Sequence, residues 1–219
     1  DSKARVSIPA AFRRILEVED PATAESPREE NARARVYMVY GGKNRNFVEC
    51  YSRAGADRLD GGAGSDWASY ATASAAVNAD LIAGRSALQG DALGDVYVSI
   101  ENLQGGNFND TLRGNDSANV LLGGDGNDRF WARGGNDTMT GGAGADVFAF
   151  ETGYGADRIT DFQNNVDEIF FSKMGFTTVS QAMAFAIQSG AHVVFNFGSG
   201  NTLTVLNMTL ANLVDDVIL

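Results

Sequence analysis

Between Gly105 and Asp157 large apolar residues recur every nine positions, at Leu112, Leu121, Phe130, Met139 and Phe148. Each sits in the middle of a three-residue run that reads as a short strand. In a strand of three only the central side chain points to one face, so this column predicts the interior and its neighbours predict solvent-facing positions. The six residues before each strand are rich in glycine, asparagine and aspartate and read as a turn. Together they form a unit G-G-x-G-x-D-x-U-x, with U a large apolar residue, complete at 123–131 and at 141–149. A fixed nine-residue phase of this kind predicts a right-handed parallel β-roll, a β-solenoid in which each nonapeptide is half a coil. Turns on one edge are then eighteen residues apart.

The rest of the chain reads as all-β with small helical additions. Arg53 to Asp60 is the tail of one repeat, and Gly61 to Ser69 is another, with Ala68 as a weak core residue. From Tyr70 to Gln104 the phase lapses, while 77–81 and 96–100 alternate like strands, which predicts coils without ions; Asp91 and Asp95 are expected to cap turns there. The runs 159–162 and 167–171 predict strands that close the open end of the roll. Val179 to Ser189 reads as a short helix, and 192–197 with 202–208 as a hairpin around Gly198-Ser199-Gly200-Asn201, with His192 a surface strand residue. The expected segments are 1–52, a small α+β unit; 53–162, the roll, with non-calcium coils at about 70–104; and 163–219, a β-rich cap with a short helix.

Composition changes the picture in two places. The 26 glycines are far more than a 219-residue globular chain needs, and the net charge of -11 is unevenly spread. Residues 1–55 carry ten Lys/Arg against eight Asp/Glu, and residues 56–219 carry seven against twenty. An acidic part of that kind repels itself without bound cations, so metal binding is expected to contribute folding free energy and the metal-free chain to be largely disordered. The single cysteine, Cys50, rules out an internal disulfide, and no run of eighteen apolar residues suggests a membrane span. The chain begins at Asp1 without methionine or a charged-then-apolar leader, which gives the expectation of missing upstream sequence and of no N-terminal export signal.

The acidic column carries the candidate chemistry. The sixth position of the unit is filled by Asp110, Asn119, Asp128, Asp137 and Asp146, and Asp157 continues the series after a two-residue slip. Eighteen-residue spacing stacks Asp110, Asp128 and Asp146 on one edge and Asn119, Asp137 and Asp157 on the other. The turn glycines Gly105, Gly123, Gly124, Gly126, Gly135, Gly141, Gly142 and Gly144 let backbone carbonyls approach an ion with no Cβ in the way. Two carboxylates and several carbonyls per gap approach the six to eight oxygens that Ca²⁺ accepts, whereas Mg²⁺ gives up water reluctantly and zinc would want Cys or His. Asp57 and Asp66 have no same-edge neighbour in register, which sets them apart from the array. The affinity expected is weak, on the order of 10⁻⁴ to 10⁻³ M.

These repeats, with the spacer ending Ser99-Ile100-Glu101-Asn102-Leu103 and the Asp161-Phe162 strand, resemble the RTX, or hemolysin-type calcium-binding, family over about 53–219. The resemblance implies a chain exported unfolded through type I secretion machinery by an uncleaved C-terminal signal, folding when it meets extracellular calcium; the ending Asp215-Asp216-Val217-Ile218-Leu219 looks like such a signal. Residues 1–51, with Asp1-Ser2-Lys3-Ala4-Arg5-Val6-Ser7-Ile8-Pro9 and Phe12-Arg13-Arg14-Ile15-Leu16, resemble instead the AbrB-like half-domain of MraZ-type transcriptional regulators. That likeness implies Lys3, Arg5, Arg13 and Arg14 as DNA-phosphate contacts. Ala4 stands where the family usually has Gly, and a single half-domain cannot close the barrel of that family.

The leading expectation is therefore a secreted, non-enzymatic calcium-binding module. One histidine leaves no H-E-x-x-H helix, and no G-x-S-x-G elbow appears. The alternatives are a DNA-binding regulator acting through 1–52, or the export and folding module of a larger enzyme or adhesin.

Overall fold

The computed structural model describes residues 46–49, 58–82 and 90–219. Lys3, Arg5, Arg13, Arg14, Asp57 and the rest of the expected 1–52 unit apart from the strand at 46–49 lie outside the described residues.

Two sheets, parallel except for a C-terminal antiparallel hairpin and its added strand, face each other across one core. The longer runs in the order Asn46–Glu49, Asp66–Ser69, Asn102–Gln104, Val120–Asp125, Thr138–Ala143, Ala156–Ile159, Asn201–Val205, His192–Gly198, Ala186–Ser189. The shorter runs in the order Asn78–Asp80, Thr111–Arg113, Arg129–Trp131, Val147–Phe150, Glu168–Phe171, Val217–Ile218. Successive nonapeptides alternate between the two sheets, as half-coils must. Leu112, Phe130, Phe148 and Ile169 pair in register each with the next across one sheet, and Leu103, Leu121, Met139 and Ile159 do so across the other.

The apolar column is the core. Leu112, Leu121, Phe130, Met139 and Phe148 are all fully buried, and the rings of Phe130 and Phe148 stack at 4.9 Å. One inward side chain per strand leaves no other packing solution, so ring stacking between coils replaces the interdigitation of a thicker core. Ala68 is also fully buried and pairs with Leu103.

The lapsed stretch is less regular than expected. Asn78–Asp80 joins the shorter sheet, but Val96–Val98 forms a separate two-stranded sheet with Arg58–Asp60. Asp91 does cap a turn, accepting the Ser74 N–H at 2.9 Å. Asp95 is instead buried, accepting the Tyr70 hydroxyl at 2.8 Å beside a Tyr70–Tyr97 hydroxyl contact of 2.5 Å.

At the C-terminal end the helix is shorter than the periodicity suggests. It covers Val179–Met183, opened by a reciprocal capping box between Thr178 and Gln181. Ala186–Ser189, read from sequence as its continuation, is a strand, because Gly190 at φ 61° turns it back antiparallel onto His192–Gly198. The hairpin around Ser199 and Gly200 is present, both residues having positive φ. His192 is half-buried and its Nδ1 accepts the Asn207 N–H. The strands at 156–159 and 168–171 do not end the roll; the hairpin and Val217–Ile218 pair outside them.

Candidate metal-binding edges

Six-residue turns join the two sheets along two edges, and the sixth-position residues line up on each. On the first edge one oxygen of every aspartate accepts the backbone N–H of its counterpart one coil earlier. Asp110 Oδ1 takes Val77 N at 2.7 Å, Asp128 Oδ1 takes Asp110 N at 2.7 Å, and Asp146 Oδ1 takes Asp128 N at 2.8 Å. On the second edge Asp137 Oδ1 takes Asn119 N at 2.8 Å and Asp157 Oδ1 takes Asp137 N at 3.0 Å. The two rows expected from eighteen-residue spacing, including the slip to Asp157, are thus hydrogen-bonded ladders.

The rows are longer than the spacing showed. Asp167 extends the first, its Oδ1 accepting Asp146 N at 3.0 Å across a 21-residue coil. Asp66 does have a same-edge neighbour: its N–H is held by Glu101 Oε2 at 2.9 Å, and Trp67 pairs with Asn102 in the strand beside Val120. A 35-residue excursion separates the two acidic residues, so no fixed period could reveal the pairing. A further ladder lies at the fifth position, where Asn109, Asn127 and Asn136 each accept the N–H of the corresponding residue one coil later.

The second carboxylate oxygens decide the chemistry. Oδ2 of Asp128, Asp137, Asp146 and Asp157 and both carboxylate oxygens of Asp66 are buried without a hydrogen-bond partner. A buried carboxylate oxygen with no donor is costly unless a cation meets it. Asp110 Oδ2 and Asp167 Oδ2 differ, taking the N–H groups of Gly106 and Gln163 at 2.6 and 2.8 Å. Asn119 keeps its oxygen on Asn115 N and donates its amide to the Glu101 carbonyl at 2.7 Å.

The same deficit appears in proton affinity. Burial pushes the carboxyl of Asp128 up to about 7, Asp137 to about 8, Asp146 to about 6 and Asp157 to about 7, and like charge from neighbouring aspartates adds to it at Asp128, Asp137 and Asp146. Asp110 and Asp167 are also raised by burial, against the pull of the backbone N–H groups they accept.

Turn carbonyls crowd around these oxygens. A Cβ on Gly123 would overlap both Asp128 Oδ2 and the Gly141 carbonyl oxygen, and one on Gly105 would overlap Asp110 Oδ2 and the Gly123 carbonyl oxygen. Gly141 similarly faces Asp146 Oδ2. Gly124, Gly126, Gly142 and Gly144 combine positive φ with a carbonyl of the previous coil where their Cβ would stand, and Gly135 does so against Ser117 O. Only glycine permits this approach. Gly114, not singled out by the repeat, occupies the same first-turn position against Asn119 Oδ1 and Ala132 O.

The donor set is therefore hard oxygen, arranged as carboxylates strung along an edge with carbonyls between them, which fits calcium and not zinc. Among the described residues no three or more His, Cys, Asp or Glu side chains gather at one point, in keeping with a shell made chiefly of backbone. Among the described residues no helix is long and apolar enough to cross a membrane.

Comparison with known proteins gives two separate matches. The N-terminal region is 47% identical over 60 residues to the transcriptional regulator MraZ of Cereibacter sphaeroides, covering 27% of this chain and 32% of that protein. It is 45% identical over 60 residues to MraZ of Ruegeria pomeroyi, covering 27% and 33%. The chain thus spans about a third of the length of these curated relatives. Among solved structures, the extracellular lipase LipA from Serratia marcescens aligns over 82% of this chain and 37% of its own at 19% identity, with a TM-score of 0.40. The AlgE6R3 subunit of the Azotobacter vinelandii mannuronan C5-epimerase aligns over 51% and 78% at 23% identity, with a TM-score of 0.23. Residues 51–68, 99–130 and 113–148 match the RTX calcium-binding nonapeptide repeat. Over these segments the chain carries RTX calcium-binding nonapeptide repeats, which bind calcium ions, and the described part of the two longer segments lies on a parallel β-roll.

Proposed function

We propose that the described region is a secreted, non-enzymatic module that folds when its two edges take up calcium outside the cell. Asp110, Asp128, Asp146, Asn119, Asp137 and Asp157 supply the side-chain oxygens, and the turns containing Gly105, Gly123, Gly124, Gly126, Gly135, Gly141, Gly142 and Gly144 supply the carbonyls. The observation that carries this reading is the row of buried, partnerless Oδ2 atoms, one on each of Asp128, Asp137, Asp146 and Asp157. Bound calcium supplies charge that these oxygens otherwise lack; the chain's own turns fix the oxygens in place and exclude water. Residues 53–162 form the roll in this reading, 163–219 the cap, and 1–52 a separate segment. Export through type I secretion machinery, guided by the C-terminal residues, agrees with the abundance of unpaired acidic charge, which keeps the metal-free chain from folding early.

The experiment is far-UV circular dichroism of the chelated chain titrated with Ca²⁺, with Mg²⁺ as control. A coil-to-β transition specific to Ca²⁺ supports the reading; a chain fully folded in chelator refutes it.

The MraZ likeness favours a second reading for residues 1–52 alone, in which Lys3, Arg5, Arg13 and Arg14 contact DNA phosphates. Salt-sensitive DNA binding that persists in chelator and falls on Arg5→Ala supports it, and no retention of a DNA duplex at low salt removes it.

A further inference from the structure

We propose that Arg133 supplies, from the protein itself, the cation that fastens the coil ending at Asp80 to the array, at a boundary where the neighbouring coils would use an ion. The proposal rests on the calcium reading above.

Arg133 occupies the second position of its nonapeptide, filled by Gly124 and Gly142 in the two complete copies. That position requires left-handed backbone: φ is 114° at Gly124, 101° at Gly142 and 72° at Arg133. A long side chain is disfavoured there, so its contacts must hold it in place. Its guanidinium forks onto one carboxylate, Nη1 donating to Asp80 Oδ1 at 2.6 Å and Nη2 to Asp80 Oδ2 at 2.9 Å. Nη1 also donates to the Gly114 carbonyl at 2.5 Å. Both side chains of the pair are largely buried.

Asp80 closes the strand Asn78–Asp80, and Gly114 opens the turn that follows its partner strand Thr111–Arg113. The guanidinium therefore bridges a carboxylate of one coil and the first-position carbonyl of the next. Those are the two oxygen types that calcium would join elsewhere on the edges. The neighbouring sixth position is consistent, because Asn119 is a neutral amide whose Nδ2 donates to a carbonyl. At this boundary protein donors occupy the oxygens, and the fork geometry of arginine suits a carboxylate better than a lysine would.

The test is amide hydrogen exchange on the full chain across a calcium series, comparing wild type with Arg133→Gly and Asp80→Asn. The reporters are Leu81 N–H, bonded to the Arg113 carbonyl at 3.0 Å, and Thr111 N–H, bonded to the Val77 carbonyl at 2.8 Å; Val147 N–H, on the Asp128 carbonyl, controls for folding of the array. With Arg133→Gly the reporters should exchange at least about tenfold faster at calcium just saturating for wild type, since a buried carboxylate that also accepts the Ile82 N–H at 3.0 Å has lost its forked guanidinium contact. Higher calcium should then restore them, an ion entering where the guanidinium was. Asp80→Asn should loosen the same amides with no restoration. Wild-type protection in Arg133→Gly at every calcium level overturns the proposal, and so does a loss that calcium never restores while Val147 stays protected. Failure of the calcium reading would show separately, as wild-type Val147 protection indifferent to calcium.

Discussion

The calcium-repeat coils and the C-terminal cap belong to the same pair of sheets but are held together differently. Between 105 and 157 the core is built on a single file of Leu112, Leu121, Phe130, Met139 and Phe148, widened only at Ala132 and at Ala149 and Phe150, and the turns bury carboxylate oxygens that nothing in the protein satisfies. From 168 onward, Phe171, Phe195 and Phe197 pack with ring centroids 5.1 to 6.0 Å apart, and Phe176 joins them at 5.9 Å from Phe171. The helix Val179–Met183 and a second short helix, Leu210–Leu213, each carry a threonine N-cap, at Thr178 and Thr209, and Asp216 accepts the Asn165 N–H. Among the described residues, every buried side-chain polar atom lacking a partner lies in the roll. The cap satisfies its polar groups internally and gains hydrophobic burial, whereas the roll is complete only with a ligand the chain cannot supply.

Removing calcium should break the comparison most sharply. In chelator the amides of Val120 to Val147 should exchange at the rate of an unfolded chain, while those of His192 to Val205 keep measurable protection; equal loss in both, read by exchange mass spectrometry, would mean the cap has no stability of its own.

Next in size is Gly124→Ala. At φ 114°, with the Gly106 carbonyl where the new Cβ must go, it should cost about 2 kcal/mol or more in calcium. Gly153→Ala has positive φ but open space, and should cost about 1 kcal/mol. Denaturant midpoints at fixed calcium separate the two.

Asp128→Asn should act in opposite directions on the two states. It removes a buried charge, so the calcium-free chain becomes more ordered, and it removes a ligand, so the calcium midpoint rises. Asp91→Asn, outside the rows, should move neither; dichroism titrations that superimpose for the two variants would sink the ligand assignment.

The last lever on the comparison is pH in chelator. Burial holds the folded carboxyls of Asp128, Asp146, Asp137 and Asp157 at about 7, 6, 8 and 7, well above the ordinary 3.8. The folded state therefore binds more protons between those values, and the stabilisation, fully present below about 4, is lost as pH rises through 6 to 8. Acid should order the calcium-free chain and raise the calcium midpoint. Greater helical or strand content in chelator at pH 8 than at pH 5 would contradict the sign.

Much of this was legible beforehand, and the reason differs by residue. Phe130 and Met139 could be placed because a three-residue strand leaves one inward position, and Asp128 and Asp137 because each precedes such a strand by a fixed count. The periodicity carries the expected helix on into Ala186–Ser189 because Phe185 and Ile187 continue an apolar pattern that antiparallel pairing overrides. Asp167 as a row member and Glu101 as the neighbour of Asp66 escape the repeat count, because coils of 21 and 35 residues interrupt it.

The sequence by itself determined the roll, its core column and the two rows of turn oxygens, since a repeating unit states its own geometry each time it recurs. Tertiary structure alone decided which oxygens stay unpaired, where the rows end, and that Arg133 meets Asp80 from 53 positions away. Those outcomes depend on how coils of unequal length stack, and distance along the chain carries no record of distance across a sheet.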